Sequence, residues 1–247
     1  MNAFETLRPL FVIGSVLLAA DTSLADDSAV REFRVPGPNG MTIAVRMQGP
    51  YDADVTLQVV CFFKWTPDAI KRSSGAPIEL DSRLGGLITS LRSRGEFVGD
   101  DLETLLIESP AGTIKPKRLL LAGLGEESTL SLAKLERIGA ASLRSAVQIS
   151  ATQVAFAPLL RDQGNSKFAA KDVEIAVTKG MLLAYDSERR LQRQGFAKPF
   201  GLQTWVVEAG PLFYDETILG VKSGVEQAKT AIDARDAKPY STKSKQP

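Results

Sequence analysis

The stretch at residues 118–147, RLLLAGLGEESTLSLAKLERIGAASLRSAV, decides the fold predicted for this chain. It opens with an apolar run at residues 119–122 and continues through Gly123-Leu124-Gly125. It ends in a segment whose apolar residues recur at helical spacing. A strand, a glycine turn and a helix in that order form the basic unit of an α/β sheet. We therefore expect the other strands and helices to be added on either side of this unit.

Further strands are predicted from short apolar runs. Residues 55–63 are almost continuously apolar and β-branched, which is typical of an interior strand covered on both faces. Residues 41–47 alternate as a half-buried strand does. The other predicted strands lie at 105–107, 154–157 and 205–207. Residues 65–75 contain several basic side chains and are predicted to be an irregular connection.

Helices are predicted between these strands. Asp81 is a suitable N-cap for a helix that buries residues 84, 87, 88 and 91. The second helix follows Gly125 and buries Leu132, Leu135, Ile138, Leu143 and Ala146. The third opens at Asp172, and the last covers 221–232. This pattern predicts a three-layer α/β/α domain with a mixed, mostly parallel central sheet.

The two ends of the chain are expected to lie outside the domain. Residues 1–25 have the pattern of a signal peptide, with an apolar block at 10–20 too short to span a bilayer and a cleavage site after Ala25. An uncleaved membrane anchor is the alternative. Residues 26–40 are a polar lead-in, residues 41–236 are the domain, and residues 237–247 are predicted to be a disordered tail. We expect a periplasmic or secreted protein that does not contact the membrane after cleavage.

The composition excludes several classes of enzyme. The 247 residues contain no histidine and one cysteine. Triads that use histidine and the usual zinc sites are therefore excluded. The acidic residues are interpreted as scattered surface charges, so no catalytic residue, metal site or cofactor is predicted. The net charge of +1 favours no nucleic-acid partner. Cys61 lies in an apolar run and is predicted to be a buried, inert thiol.

The order of several motifs resembles the N-terminal domain of the leucyl aminopeptidase family, peptidase family M17. The resemblance covers roughly residues 42–236. Its motifs are Leu80-Asp81 with Leu84-Gly85-Gly86-Leu87-Ile88, then Gly95-Glu96-Phe97-Val98-Gly99, then residues 119–125, and then Gly180-Met181-Leu182-Leu183-Ala184-Tyr185-Asp186. The resemblance implies a macro-domain-like fold, in agreement with the pattern of strands and helices. It also implies that the metal-dependent chemistry belongs to a following catalytic domain, whose Asn-Thr-Asp-Ala-Glu-Gly-Arg motif is not found in this sequence. We therefore expect no aminopeptidase activity.

The resemblance also implies a relation to macro domains, which bind ADP-ribose through glycine loops and helix N-termini. The candidate ligand-binding residues are Gly85, Gly86, Gly123, Gly125, Gly164, Asn165 and Ser166. The alternative is that these glycines allow close packing of helices on the sheet. A dinucleotide fingerprint at Gly123 and Gly125 is not favoured, because the third glycine is missing and two glutamates follow.

Three functions remain open from the sequence. The first is an exported, non-catalytic module that binds a protein partner or itself. The second is a domain that binds a small phosphate-bearing compound of the nucleotide or ADP-ribose type. The third is an auxiliary part of a metal-dependent aminopeptidase.

Overall fold

A computed structural model describes residue 1, residues 30–235 and residues 238–240. Its strands are β1 (Glu32–Pro36), β2 (Thr42–Arg46), β3 (Leu57–Phe62), β4 (Thr104–Glu108), β5 (Arg118–Gly123), β6 (Gln153–Ala157) and β7 (Thr204–Glu208). Its helices are α1 (Pro67–Arg72), α2 (Ala76–Arg83), α3 (Leu87–Ser93), α4 (Leu132–Gln148), α5 (Ala170–Arg193) and α6 (Tyr214–Asp233). The predicted strands at residues 41–47, 55–63, 105–107, 119–122, 154–157 and 205–207 are all confirmed.

The strands form one mixed sheet in the order β1-β2-β7-β6-β3-β5-β4. The five inner strands, which are β2, β7, β6, β3 and β5, run parallel to one another. The two edge strands, β1 and β4, each pair antiparallel with their neighbour. Every residue of β3 is buried, as a continuous apolar run at the centre of a parallel sheet predicts.

Helices cover both faces of the sheet, which confirms the three-layer α/β/α architecture. The larger core lies between the sheet and α4, α5 and α6. A smaller core lies between the other face and the α2–α3 region, where Leu80, Ile88 and Phe97 pack on β3 and β5. Cys61 in β3 is fully buried in the larger core. Burial raises the pKa of its thiol, so the prediction of a buried thiol is confirmed.

Helix α4 largely follows its sequence pattern. The Ser131 side chain accepts a hydrogen bond from the backbone N–H of Lys134 at 3.2 Å and so caps the helix. Leu135, Ile138, Leu143 and Ala146 are buried as predicted. Leu132 is 38% exposed, and its predicted burial is therefore wrong. It is the first residue of the helix, where the turn that would cover it is missing.

The region around Asp81 differs from the prediction. Asp81 lies inside α2 rather than before a helix. A break in the helical path separates α2 from α3 at Gly85 and Gly86, which have φ of +66° and +81°. The Asp81 carboxylate nevertheless caps a helix, because its Oδ1 accepts the backbone N–H groups of Ile88 at 2.8 Å and Thr89 at 3.2 Å in α3. The break needs glycine because other residues are strained at these angles.

Other differences lie in the connections. Residues 65–75, predicted to be irregular, contain α1. The region interpreted as a polar lead-in contains β1, whose residues Phe33 and Val35 pack against the core. The predicted signal peptide at residues 1–25 and its cleavage after Ala25 lie, apart from residue 1, outside the described residues, and so does the predicted tail at 237–247 apart from residues 238–240. Among the helices that the structure describes, none combines the length and the apolar character needed to cross a membrane.

Candidate functional site

Gly85 and Gly86 lie at the surface turn between α2 and α3. A Cβ atom added to either residue would meet nothing within 4 Å. The close backbone approach that the sequence analysis offered as a reason for this pair is therefore wrong, and the reason is the positive φ of both residues. Neither residue lines a described cavity.

Gly123 and Gly125 are packed against the loop at residues 99–101. A Cβ atom on Gly123 would stand 1.9 Å from the backbone oxygen of Asp100. The Gly125 N–H donates to the Gly99 carbonyl at 2.9 Å. The Glu103 carboxylate holds the same loop by accepting the Gly99 N–H at 2.7 Å. These contacts favour the packing interpretation of Gly123 and Gly125.

Residues 164–166 follow β6. Gly164 ends a short 3-10 turn with φ of +81°. Asn165 is 9% exposed, and its Nδ2 donates to Glu127 Oε1 at 3.0 Å. Ser166 is exposed. Of the seven residues proposed from the sequence, Asn165 is the one that lines the large cavity, so the seven do not converge on one site. Their role in ligand binding stays a prediction.

A cavity of about 410 Å³ opens at the carboxyl ends of β2, β6 and β7. In open α/β sheets, ligands bind outside this edge of the strands. Its walls come from the loops that follow the three strands and from the first turns of α5 and α6. The lining residues are Met47, Gln48, Gly49, Pro50, Ala76, Ala157, Pro158, Leu159, Leu160, Arg161, Asp162, Asn165, Phe168, Ala170, Val173, Glu174, Glu208, Ala209, Gly210, Pro211, Phe213 and Thr217.

Glu208, the last residue of β7, is fixed by two side-chain amides. Its Oε1 accepts from Gln48 Nε2 at 3.1 Å, and its Oε2 accepts from Gln58 Nε2 at 2.7 Å. Burial raises the pKa of Glu208 to about 8, although both hydrogen bonds and the charge of Arg46 act in the opposite direction. The side chain is thus rigidly held and carries a proton much more readily than an exposed glutamate does.

Glu174, in the second turn of α5, is 3% exposed. Its Oε2 is buried and makes no hydrogen bond to any part of the chain that the structure describes. Burial raises the pKa of this carboxyl to about 8. Buried polar atoms nearly always have a partner, because an unsatisfied one costs free energy. Glu174 therefore needs an explanation that the fold itself does not supply.

Arg161 connects the two sides of the cavity mouth. Its guanidinium lies 4.3 Å from the centre of the Phe213 ring, and its Nη2 donates to the Phe168 carbonyl at 3.2 Å. Phe168 precedes α5 and Phe213 precedes α6. Glu216 in α6 also accepts the Ala170 N–H at the start of α5, at 3.1 Å. These contacts fix the relative positions of the two helix starts that form the cavity.

Sequence analysis missed this site because it interpreted every acidic residue as a surface charge. That interpretation is wrong for Glu174 and Glu208. Helix α5 is packed between α4 and α6, as shown by the close approaches of Gly180 to Glu136 and of Gly220 to Lys171. Glu174, near the start of α5, is covered in this packing and is 3% exposed. A glutamate directly after an apolar strand, as at Glu208, is the one local signal that could have indicated a buried acid.

The α/β/α fold of this chain is macrodomain-like. Two mutants of the Oceanobacillus iheyensis macrodomain superpose on the chain with a TM-score of 0.53. One of them is 11% identical, and the match covers 80% of this chain and 99% of that one. A tomato leucine aminopeptidase mutant superposes with a TM-score of 0.54 at 17% identity, over 82% of this chain and 38% of that chain. At these identities the likeness concerns the fold alone.

The sequence comparisons identify the family. Residues 59–193 match the N-terminal domain of the cytosol aminopeptidase family. This is more than half of the chain, so the chain belongs to that family. A probable cytosol aminopeptidase of Alkaliphilus oremlandii is 36% identical over 85 residues, which are 34% of this chain and 17% of that protein. One of Thermosynechococcus vestitus is 32% identical over 113 residues, 46% of this chain and 22% of that protein. The matches thus span about a fifth of the length of these relatives.

Proposed function

We propose that this chain is an exported, non-catalytic binding module that holds a small organic ligand in the cavity at the carboxyl edge of the sheet. The observation that carries the proposal is the cavity itself. Its volume of about 410 Å³ falls in the range of small-molecule sites, and its walls are apolar with a few converging polar groups. Two of these groups, Glu174 and Glu208, have strongly raised pKa values, which is common at functional sites.

Phosphate-bearing ligands have less support than other small molecules. Arg161 is the one cationic side chain among the lining residues, and it already stacks on Phe213. Arg72, on the neighbouring helix, is paired with Glu127 at 2.8 Å. Three carboxyl groups line the same cavity. Each of these carboxyl groups would repel a phosphate once it is ionised.

A protein partner, or a second copy of the chain, is the second candidate. Leu212 is 90% exposed and Leu219 is 54% exposed. Leu212 lies in the 3-10 turn that directly precedes α6, and Leu219 lies in the second turn of α6. Charged substitutions at both residues should abolish any self-association seen by light scattering. Their failure to change the mass of an oligomer would exclude this surface as the contact.

Two further parts of the proposal have their own tests. Export follows from the pattern of residues 1–25, and cell fractionation with N-terminal sequencing of the protein checks it, with Asp26 expected as the first residue. An auxiliary role in peptide hydrolysis is the alternative that family membership suggests. An assay with a leucine anilide and Mn²⁺ or Zn²⁺ tests the purified protein for such activity, and we expect no turnover.

Blocking the cavity tests its role in binding. Gly210 lines the cavity, has φ of −71°, and has no atom within 4 Å of an added Cβ. Gly201 has the same free space but lies outside the cavity, so Gly201→Trp is the matched control for Gly210→Trp. Metabolites, including ADP-ribose, would be screened by thermal shift on the purified protein. A ligand at 100 times its Kd stabilises a fold by about 2.7 kcal/mol.

We expect Gly210→Trp to abolish the shift and Gly201→Trp to keep it. If the blocked variant binds ligands as well as the unchanged protein, the cavity is not the binding site and the proposal is wrong.

A further inference from the structure

The starting point is the unpaired oxygen of Glu174. Glu174 is 3% exposed and lines the cavity. Its Oε2 has no hydrogen-bond partner among the described residues. Glu208, on the opposite layer of the site, differs because two glutamine amides satisfy it. A buried acceptor on a cavity-lining residue that lacks a donor is the feature expected where a ligand supplies the donor.

The charge of the cavity indicates what kind of donor fits. Its titratable lining residues are Asp162, Glu174, Glu208 and Arg161. Asp162 accepts the backbone N–H of Ala76, and Arg161 is held at the mouth by Phe213 and Phe168. The Glu174 carboxyl is left without a partner, and in its ionised form it requires a positive charge. A cationic donor supplies that charge, whereas a carboxylate or phosphate would be repelled.

The rest of the lining determines the body of the ligand. Leu160, Val173, Phe168 and Phe213 supply aliphatic and aromatic surface around the acid. Such walls favour burial of an apolar group. Resting on the proposed function, we propose that the ligand is a primary amine with an apolar body, whose protonated amino group donates to the carboxylate of Glu174.

The energetics of the acid support this ligand class. A protonated amine beside Glu174 favours the ionised carboxylate and opposes the effect of burial, which by itself raises the pKa of this group. Hydrogen bonds between an ammonium group and a carboxylate are roughly twice as strong as those between neutral groups. A neutral alcohol of the same shape lacks this charge-assisted contact.

Three compounds with one body and different head groups test the proposal on the purified protein. They are phenethylamine, 2-phenylethanol and phenylacetate, each measured by calorimetric titration at pH 8. We expect phenethylamine to bind at least tenfold more tightly than 2-phenylethanol, and phenylacetate not to bind. This comparison uses the unchanged protein and does not depend on whether any variant folds.

A pair of variants assigns the effect to one residue. Glu174→Gln should lower the affinity for phenethylamine at least tenfold and leave that for 2-phenylethanol unchanged. Glu226→Gln, at an exposed position of α6 outside the cavity, should change neither affinity.

Equal binding of amine and alcohol, tighter binding of phenylacetate, or an unchanged amine affinity in Glu174→Gln would overturn the amine assignment. In the first two cases the proposed ligand-binding function still stands if Gly210→Trp abolishes the binding. If no head group binds, the amine assignment is wrong, and the metabolite screen then decides the proposed function by itself.

Discussion

Gly180 in α5 lies against the backbone carbonyl of Glu136 in α4, and a Cβ atom added to Gly180 would come within 1.9 Å of that oxygen. The approach is reciprocal, because a Cβ atom on Gly139 of α4 would stand 2.2 Å from the carbonyl oxygen of Val177 in α5. The two helices therefore cross with their backbones nearly in contact. This crossing brings α5 close to its neighbours, and Glu174 of α5 is left 3% exposed.

Substitution of the crossing glycine should destabilise the fold. Gly180→Ala places a methyl group where no space exists, so we expect the free energy of unfolding to fall by at least about 2 kcal/mol, in the range of overpacked cores. Gly201→Ala is the control, since an added Cβ there meets nothing within 4 Å. Urea denaturation of both variants measures the difference. Equal stability of the two would show that the helices separate without cost.

The stability of the protein should fall as the pH rises from 6 to 8. Burial raises the folded-state pKa of Glu174 and of Glu208 to about 8, above the ordinary value of 4.5. Between these values the folded protein binds more protons than the unfolded chain, so each carboxyl lowers the free energy of unfolding by up to roughly 1.4 kcal/mol per pH unit. The stabilising contribution is complete below pH 4.5 and is lost by the time the pH passes 8.

The absence of histidine makes this window unusually clear. With none in the 247 residues, no side chain with an ordinary pKa titrates between pH 6 and 8. Glu174→Gln should therefore remove about half of the pH dependence seen by urea denaturation at pH 6 and pH 8. A flat profile for the unchanged protein would show that neither carboxyl is held in its protonated form.

Removal of the Asp81 carboxylate should weaken α3. Asp81→Ala leaves the N–H groups of Ile88 and Thr89 without their acceptor, and we expect a loss of about 1 kcal/mol in the free energy of unfolding. Asp81→Asn keeps an acceptor oxygen and should lose less. Asp54→Ala, at an exposed position, is the control for the loss of a negative charge. A loss in Asp54→Ala equal to that in Asp81→Ala would contradict the capping role.

Much of the fold could be predicted from the sequence because its signals are local. The inner strands are short apolar runs, since a parallel strand covered on both faces has no polar side to interrupt the pattern. The buried face of α5, from Val173 to Ala184, likewise has the spacing of a helix packed on a sheet. These patterns involve only a few neighbouring residues and can therefore be recognised in the sequence.

The rest depends on contacts between distant parts of the chain. Asp81 was correctly predicted to cap the helix that contains residues 87, 88 and 91, but it does so from inside α2, because Gly85 and Gly86 turn the chain back toward it. The edge strand β1 was missed although its residues alternate, because the segment is short and ends at Pro36, and its pairing with β2 supplies much of its order. The site was missed because the burial of Glu174 is decided by the neighbouring helices rather than by its own sequence. Nothing in the residues around Glu174 distinguishes it from an exposed helix acid.

Because Cys61 is buried, its reactivity can report unfolding events that expose the central sheet. Cys61 is the single cysteine of the chain, fully buried in the central strand β3. A thiol reagent can react with it only after unfolding has exposed strand β3. The rate of labelling therefore measures how often the protein unfolds there, without an engineered label. A ligand that binds the folded cavity must make those unfolding events rarer. Slower labelling of Cys61 would thus detect an occupant of the cavity even when its chemistry is unknown.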